Sequence, residues 1–501
     1  MKSNNKITLQ TFYRLFFWGL LAVAVFLRLP FASVERLWPD EALYAWNALR
    51  IFQHPELIFS REITDFHPPL FSILLSFWHW VLPPLKACHA MMFFMNITGL
   101  IAIYSLGKKI QGEFLGCLAA LMLGFNLLYF TVFNYILIDS VLAVVMIVFF
   151  QILSSASQPK ITRADFYLGL ITSAVILLKW SGGLVLPLIV LYYWMAFPRW
   201  TLRERAVKAA VPLIFGVITV GFLLWRNFLI FGTWIPQVFT MTNDAYSAPF
   251  IYYVRVLLVN LVNRPFVPFL LFGLWMVFKN RNPHQQVHGL WVVLSLSAIS
   301  LMSNKDMRFL LPVIPSVVVL IGIAADALCR QLEKRASENI VRPVFLVVTF
   351  GFLLAFSYPK VYNDAVRQGH SYTGYREASA YIKEELVRSP EAVILAGSPR
   401  MIRYYTGINF KEFGGSIVPI PKSEEEFKQM IASTSGPILL EVDLWEGMQP
   451  KWIYPLRAQN VELLKTYGFE LERMVRVNIS GTPEGADKAA VWCFRRPVSN
   501  P

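Results

Sequence analysis

Charge is what this chain has least of. Asp, Glu, Lys and Arg together make up 16% of its 501 residues, while 56% are hydrophobic. Soluble globular domains carry about 25% charged residues, so a purely soluble fold is excluded. Acids are scarcer than bases, 32 against 46, which leaves a formal net charge of +14. Cysteine is sparse as well: Cys88, Cys117, Cys329 and Cys493 form no C-x-x-C pair and no metal-ligand spacing, which excludes a zinc module and a disulfide scaffold. His79, His89, His284, His288 and His370 show no ligand spacing either. There is no G-x-G-x-x-G or phosphate-loop pattern, no repeat of fixed period and no low-complexity tract.

What the chain does have is long apolar segments. Mean hydropathy is +0.49, and apolar runs recur that are long enough for a hydrocarbon core of about 30 Å. We read eleven spans, near 11–29, 90–107, 113–131, 136–153, 164–179, 182–197, 210–231, 262–279, 287–303, 309–328 and 343–358. The fold class is therefore an α-helical polytopic membrane protein. With the N-terminus in the cytoplasm, the inner connections hold Lys108, Lys109, Lys160, Arg163, Arg199, Arg203, Arg205, Lys208, Lys279, Arg281, Arg330, Lys334, Arg335 and Arg342. Connections 132–135 and 232–250, on the other side, hold no Lys or Arg. That asymmetry sets the orientation and accounts for the basic excess without any nucleic acid. Residues 69–83 are apolar too, but a full crossing there would put Lys108 and Lys109 outside; a helix at the outer interface is expected instead. The first span has the length and charge of a signal peptide and, with ten spans after it, is expected to remain uncleaved.

Residues 1–358 thus read as a membrane domain with a large first outer loop, 30–89, and residues 359–501 as an extracytoplasmic α/β domain. In the tail, the patterns predict helices over 374–388, 399–406, 423–433 and 455–466. Strands are predicted over 392–396, 437–442, 469–478 and 489–495. Cys88 and Cys493 share the outer side and are the pair that could join; reduced thiols are the default.

On the outer side the topology gathers the chemistry. Trp38-Pro39-Asp40-Glu41-Ala42-Leu43-Tyr44 puts an acidic pair just past the first span, followed by His67-Pro68-Pro69-Leu70. Carboxylates beside a bilayer are costly unless solvated, paired or used. Pro39 suits a first helical turn, where the helix dipole favours an ionised carboxylate, as a proton acceptor requires. Asp40 and Tyr44 share a helix face. The same side receives Arg61, Glu62, Asp65, Asp139 and the cluster Lys305-Asp306-Met307-Arg308. Acids with several cations suit a transferase of charged lipid substrates, since Arg and Lys can hold a phosphate. Each residue also has a plainer reading. Asp40-Glu41 could be a helix N-terminal charge pair, His67-Pro68-Pro69 a rigid turn, and Asp139 a cap or the partner of a buried cation. Lys179, Lys305 and Arg308 could be snorkelling side chains.

The order Asp-Glu-x-x-Tyr, His-Pro-Pro-Leu, then Lys305-x-x-Arg308-Phe309-x-x-Pro312-x-x-Pro315 resembles the GT-C glycosyltransferases. More narrowly it is similar to dolichyl-phosphate-mannose–protein mannosyltransferases and lipid A aminoarabinose transferases. The likeness runs over nearly the whole chain. It departs at Phe66-His67, where those branches commonly carry Lys or Glu-Lys before Pro-Pro, and at Phe309, where Tyr is more usual.

The resemblance implies transfer of a sugar, with inversion, from a polyprenyl-phosphate donor to a glycolipid, lipopolysaccharide or protein at the outer face of a bacterial inner membrane. Asp40 is then the candidate base, with Glu41, Tyr44 and Asp139 positioning it or the acceptor; Lys305, Arg308 and His67 are candidates for the phosphate. Some relatives bind a divalent ion near the first loop, to which Asp65, His67 and Asp139 could contribute; no metal is assigned. One base suffices, because a phosphate leaving group is already acidic (second pKa about 6), whereas a glycosidase must protonate an alkoxide. What the step requires is cationic stabilisation of the departing charge. The early aspartate and the late Lys-Arg cluster are expected to share one outer cavity. The alternative is a polyprenyl-lipid or sugar transporter or flippase. Transporters favour repeats and midplane polar sites, whereas here the ionisable residues gather at outer ends.

Overall fold

A computed structural model describes residues 2–31, 37–63, 67–132, 135–156, 158–234, 248–302, 305–369, 372–445, 449–478 and 487–497. It divides into two compact units, residues 1–33 with 50–365 and residues 34–49 with 366–501. The change in composition at 359 falls inside continuous helix, which runs from Glu338 through Leu353–Ser357 to Gly369, so the first unit extends to 365. Residues 34–49, from the first outer loop, group with the tail.

The helices up to that boundary are α1 Lys2–Phe26, α2 Pro39–Gln53, α3 Leu70–Trp78, α4 Pro84–Gln111, α5 Glu113–Gly124, α6 Leu127–Thr131, α7 Ile138–Ser155 and α8 Arg163–Leu178. They continue as α9 Val185–Ala196, α10 Leu202–Phe231, α11 Tyr252–Val256, α12 Val267–Asn280, α13 Pro283–Leu301, α14 Ile314–Leu332, α15 Glu338–Phe352 and α16 Tyr358–Gly369. Among the described residues each expected span overlaps helix, although 113–131 is broken at Phe125–Asn126 between α5 and α6 and 309–328 becomes α-helical only at Ile314. Among the described residues six helices are long and apolar enough to cross a membrane, or seven if the pair Tyr252–Leu261 and Arg264–Asn280, bent by 110°, counts as one span. The others fall short by different routes. α5 and α9 have 12 residues each, about 18 Å of helix. α8 has 16, and α13, with 19, carries His284, Gln285, Gln286 and His288. α3, in the segment read as non-crossing, has 9 residues, about 13 Å.

Small residues let these helices touch. A Cβ on Gly107 of α4 would stand 2.8 Å from Gly116 Cα of α5, so only glycine permits that approach. Several cations of the basic connections are engaged in ion pairs. Lys208 lies 2.6 Å from Asp165, both side chains fully buried, tying α10 to the first turn of α8. Arg330 and Arg342 pair with the buried Asp326 at 2.8 and 3.2 Å.

The second unit contains α17 Tyr375–Arg388, β1 Val393–Ala396, α18 Pro399–Thr406, β2 Ile417–Pro419, α19 Glu424–Ser433, β3 Ile438–Asp443, α20 Ala458–Thr466, β4 Glu470–Asn478 and β5 Asp487–Arg496. The sheet order is β2-β1-β3-β5-β4, with β1 parallel to β2 and β3, and β5 antiparallel to β3 and β4. Helices and strands stand where the sequence patterns put them, apart from β2. That strand has three residues and ends in proline, at an edge position that requires no donor there. Leu395, Phe427, Leu440, Leu464 and Phe494 form the core beside the sheet. Each such fully buried side chain contributes about 1.5–3 kcal/mol of burial.

Candidate active site

The sequence candidates fall into two groups, one in each unit. In the second unit, Pro39 opens α2, with Asp40 and Glu41 in its first turn. Ala42 N–H donates to Trp38 O at 2.8 Å, closing the first helical turn. Glu41 reaches back, accepting from Trp38 N–H at 2.8 Å through Oε2, and is 1% exposed. That is the returning half of a capping box. Glu41 therefore has a structural duty at the helix start. Tyr44, one turn on, is buried.

Asp40 is the open member of the pair. Its side chain is 29% exposed and its Oδ1 accepts from Arg400 Nη1 at 2.7 Å. Arg400 lies in the first turn of α18, which leaves the carboxyl end of β1. Three residues on, Arg403 is buried, its guanidinium carbon 4.6 Å from the ring centres of both Trp46 of α2 and Phe410. Neither arginine figured among the sequence candidates. Arg400 is 360 residues from Asp40, and no local pattern marks that pairing.

A buried carboxylate pair holds the start of α18. Ser398 N–H donates to Glu441 Oε2 at 3.1 Å, and Ser398 Oγ to Asp443 Oδ2 at 2.7 Å. Tyr375 Oη donates to Ser398 Oγ at 3.0 Å. Burial first, then the neighbouring Asp443, pushes the Glu441 carboxyl well above the ordinary carboxylate range.

In the first unit, Asp139 in the first turn of α7 is 2.6 Å from Lys179 Nζ, and Lys179 stands 4.4 Å from the Phe309 ring centre. Lys179 is the residue after α8, and its side chain is 12% exposed. Its sequence reading as an interfacial snorkelling residue is thereby corrected: the ammonium turns inward to a buried carboxylate, and of the two readings of Asp139 the partner of a cation holds, the cation itself being partly buried. Lys305 is buried, and its Nζ donates to Ser300 O in the last turn of α13 and to Met302 O just past its end, at 3.0 and 2.6 Å. Arg308 Nε lies 3.0 Å from Asp306 Oδ2, while Asp306 N–H donates to Tyr253 Oη at 3.1 Å. Three cations (Lys179, Lys305, Arg308) thus stand with two carboxylates (Asp139, Asp306) around Phe309 and Tyr253. Such a group can accept an anion. Tyr253 was not legible as a member, because it comes from a separate helix.

His67 is half-buried just before α3, in the first unit, and so is not grouped with Asp40, Glu41 and Tyr44. Glu62 pairs with Arg50 at 2.8 Å and Arg61 donates to Ile230 O at 2.7 Å, so the first ties the loop to α2 and the second ties it to the end of α10. Asp65 lies outside the described residues. Among the described residues no three His, Cys, Asp or Glu side chains stand together as metal ligands. No disulfide joins the cysteines; Cys88 and Cys493 are both buried, in different units.

No family model and no curated protein matches the sequence. Solved structures do match in fold. ArnT from Cupriavidus metallidurans in the apo state superposes with a TM-score of 0.60 at 16% identity, over 95% of this chain and 97% of that one. The same protein bound to undecaprenyl phosphate gives a TM-score of 0.59. The Archaeoglobus fulgidus oligosaccharyltransferase matches at a TM-score of 0.59 and 11% identity, over 85% of this chain and 69% of that one. The arabinofuranosyltransferase AftD from Mycobacteria matches at 0.54 and 14%, over 97% of this chain and 40% of that one. The chain has the GT-C fold of these glycosyltransferases, that of polytopic helical membrane proteins, and carries a small C-terminal sheet of its own.

Proposed function

We propose that this protein is a membrane glycosyltransferase that moves a hexose or pentose from a polyprenyl-phosphate donor to a glycolipid, lipopolysaccharide or protein acceptor. The site faces the periplasm from a bacterial inner membrane, as the distribution of Lys and Arg along the chain suggests. The observation that carries the proposal is the cation group Lys179, Lys305 and Arg308 within the first unit of a fold shared with a protein solved with undecaprenyl phosphate.

In the proposed step Asp40 takes a proton from the acceptor hydroxyl or amine. The acceptor heteroatom bonds to the anomeric carbon from the face opposite the phosphate. The bond from that carbon to the phosphate oxygen breaks, and its electron pair leaves with the polyprenyl phosphate. Inversion follows from the single displacement. Lys305 and Arg308, with Lys179 beside them, stabilise the departing charge. General-base assistance is typically worth about 10²–10⁴-fold. Glu41 and Tyr44 hold the helix that carries the base, and Asp139 sets Lys179.

Mass spectrometry of envelope glycolipids and glycoproteins, with and without the gene, tests the proposal. A product is expected to disappear on deletion, to return with the wild-type chain and to stay absent with Asp40→Asn, although that variant accumulates normally in the membrane. Full product from Asp40→Asn would remove the base. No product lost on deletion would remove the transferase reading.

A further inference from the structure

The second unit is assembled from stretches far apart in sequence, and two arginines one turn apart on α18 contribute to the join, beside the Trp38–Tyr372 ring contact. They do different work. Arg403 is 3% exposed between the rings of Trp46 and Phe410, 4.6 Å from each, so it is packed in place and secures α2 to the sheet. Arg400 is the more exposed of the two. Its side chain is 32% exposed and that of Asp40 29%. An ion pair partly open to solvent contributes only modestly to stability, on the order of 1 kcal/mol. Its geometry is nevertheless well supported from below. α18 starts at the carboxyl end of β1, where open parallel sheets place their ligand sites. Its first residues are fixed by Ser398, whose N–H and hydroxyl are held by Glu441 and Asp443 at 3.1 and 2.7 Å. A guanidinium on a rigid element, presented to a half-exposed carboxylate, orients that carboxylate better than a flexible ammonium would.

We infer that Arg400 is a positioning residue for Asp40: the α/β tail takes part in the reaction by holding the base in its working orientation. This rests on Asp40 being the base, as proposed above. The arginine acts through Asp40 and transfers no proton itself. Misplacing a catalytic group by about 1 Å can cost about 10²-fold in rate, so loss of Arg400 is expected to slow transfer without unfolding the tail.

The test uses the full chain in cells and reads the product that disappears on deletion. Arg400→Ala is expected to slow its accumulation 10- to 100-fold, with unchanged protein level and melting temperature. Arg400→Lys, which keeps the charge and loses the fork, is expected to recover part of the rate. Wild-type accumulation from Arg400→Ala, with Asp40→Asn still inactive, would overturn this inference and leave the base assignment standing. Equal loss from Arg400→Ala and Arg400→Lys together with a lowered melting temperature would make Arg400 merely structural and also overturn it. Activity in Asp40→Asn would instead overturn the base assignment.

Discussion

Lys179 Nζ stands 2.6 Å from Asp139 Oδ1 and 4.4 Å from the centre of the Phe309 ring. The two charged residues come from the end of α8 and the start of α7, where the helix dipoles favour a cation and an anion respectively. Phe309, from the late motif, closes over the ammonium. Breaking this pair leaves a charge with little access to water.

Lys179→Met is accordingly expected to destabilise the protein by about 3–5 kcal/mol, because Asp139 stays buried without its cation. Lys179→Met combined with Asp139→Leu should recover much of that loss. Thermal unfolding in detergent, compared across the two single variants and the double one, checks the coupling.

Glu41 caps α2, so its two substitutions should separate. Glu41→Ala removes the acceptor for Trp38 N–H and is expected to cost about 0.5–2 kcal/mol, the usual range for a lost helix cap. Glu41→Gln keeps an oxygen at that position and should cost less. Equal losses in chemical denaturation would count against the capping role.

Anion binding by the first unit can be measured without knowing the sugar. Undecaprenyl phosphate titrated into purified protein should bind at least tenfold more weakly to Lys305→Met and to Arg308→Ala. A charge-assisted hydrogen bond is worth about 1.5–3 kcal/mol, and about 1.4 kcal/mol corresponds to tenfold in affinity. Unchanged affinity in both variants would take the phosphate away from this cluster.

The buried pair in the tail gives stability a pH dependence of definite sign. Glu441 holds its proton in the folded state well above the ordinary carboxylate range, with burial the largest cause and Asp443 the next. The folded state therefore binds more protons than the unfolded one over that interval. Stability is full below the unfolded value near 4.5 and falls as pH rises above it. Glu441→Gln, which cannot titrate, should flatten the slope and raise the melting temperature at neutral pH. A wild-type melting temperature that climbs from pH 5 to 8 while the variant does not would contradict the assignment.

Much of the fold was legible because its signals are local. The apolar runs positioned eleven helical segments, although among the described residues only six or seven helices are long and apolar enough to cross by themselves. Two-residue and 3.6-residue periodicities placed the tail elements from α17 onward except β2, too short to register, and missed α16 at the start of the tail. Of the site, the sequence supplied Asp40, Glu41, Tyr44, Asp139, Lys305 and Arg308 as candidates but not their partners. Lys179 looked like one more cation at a span end, and Arg400 and Arg403 like ordinary helix charges. The grouping of residues 34–49 with the tail was equally invisible, since nothing near them in the chain reports contacts made across some 360 residues.

Sequence alone determined that this is a helical membrane chain with an α/β tail, because hydrophobic length and periodicity are properties of adjacent residues. Tertiary structure decided that Glu41 caps a helix, that Asp139 pairs with Lys179 and that Asp40 stays partly exposed beside an arginine. Burial and ion pairing depend on side chains that only folding brings within 3 Å of each other, and Asp40 meeting Arg400 at 2.7 Å is the clearest instance.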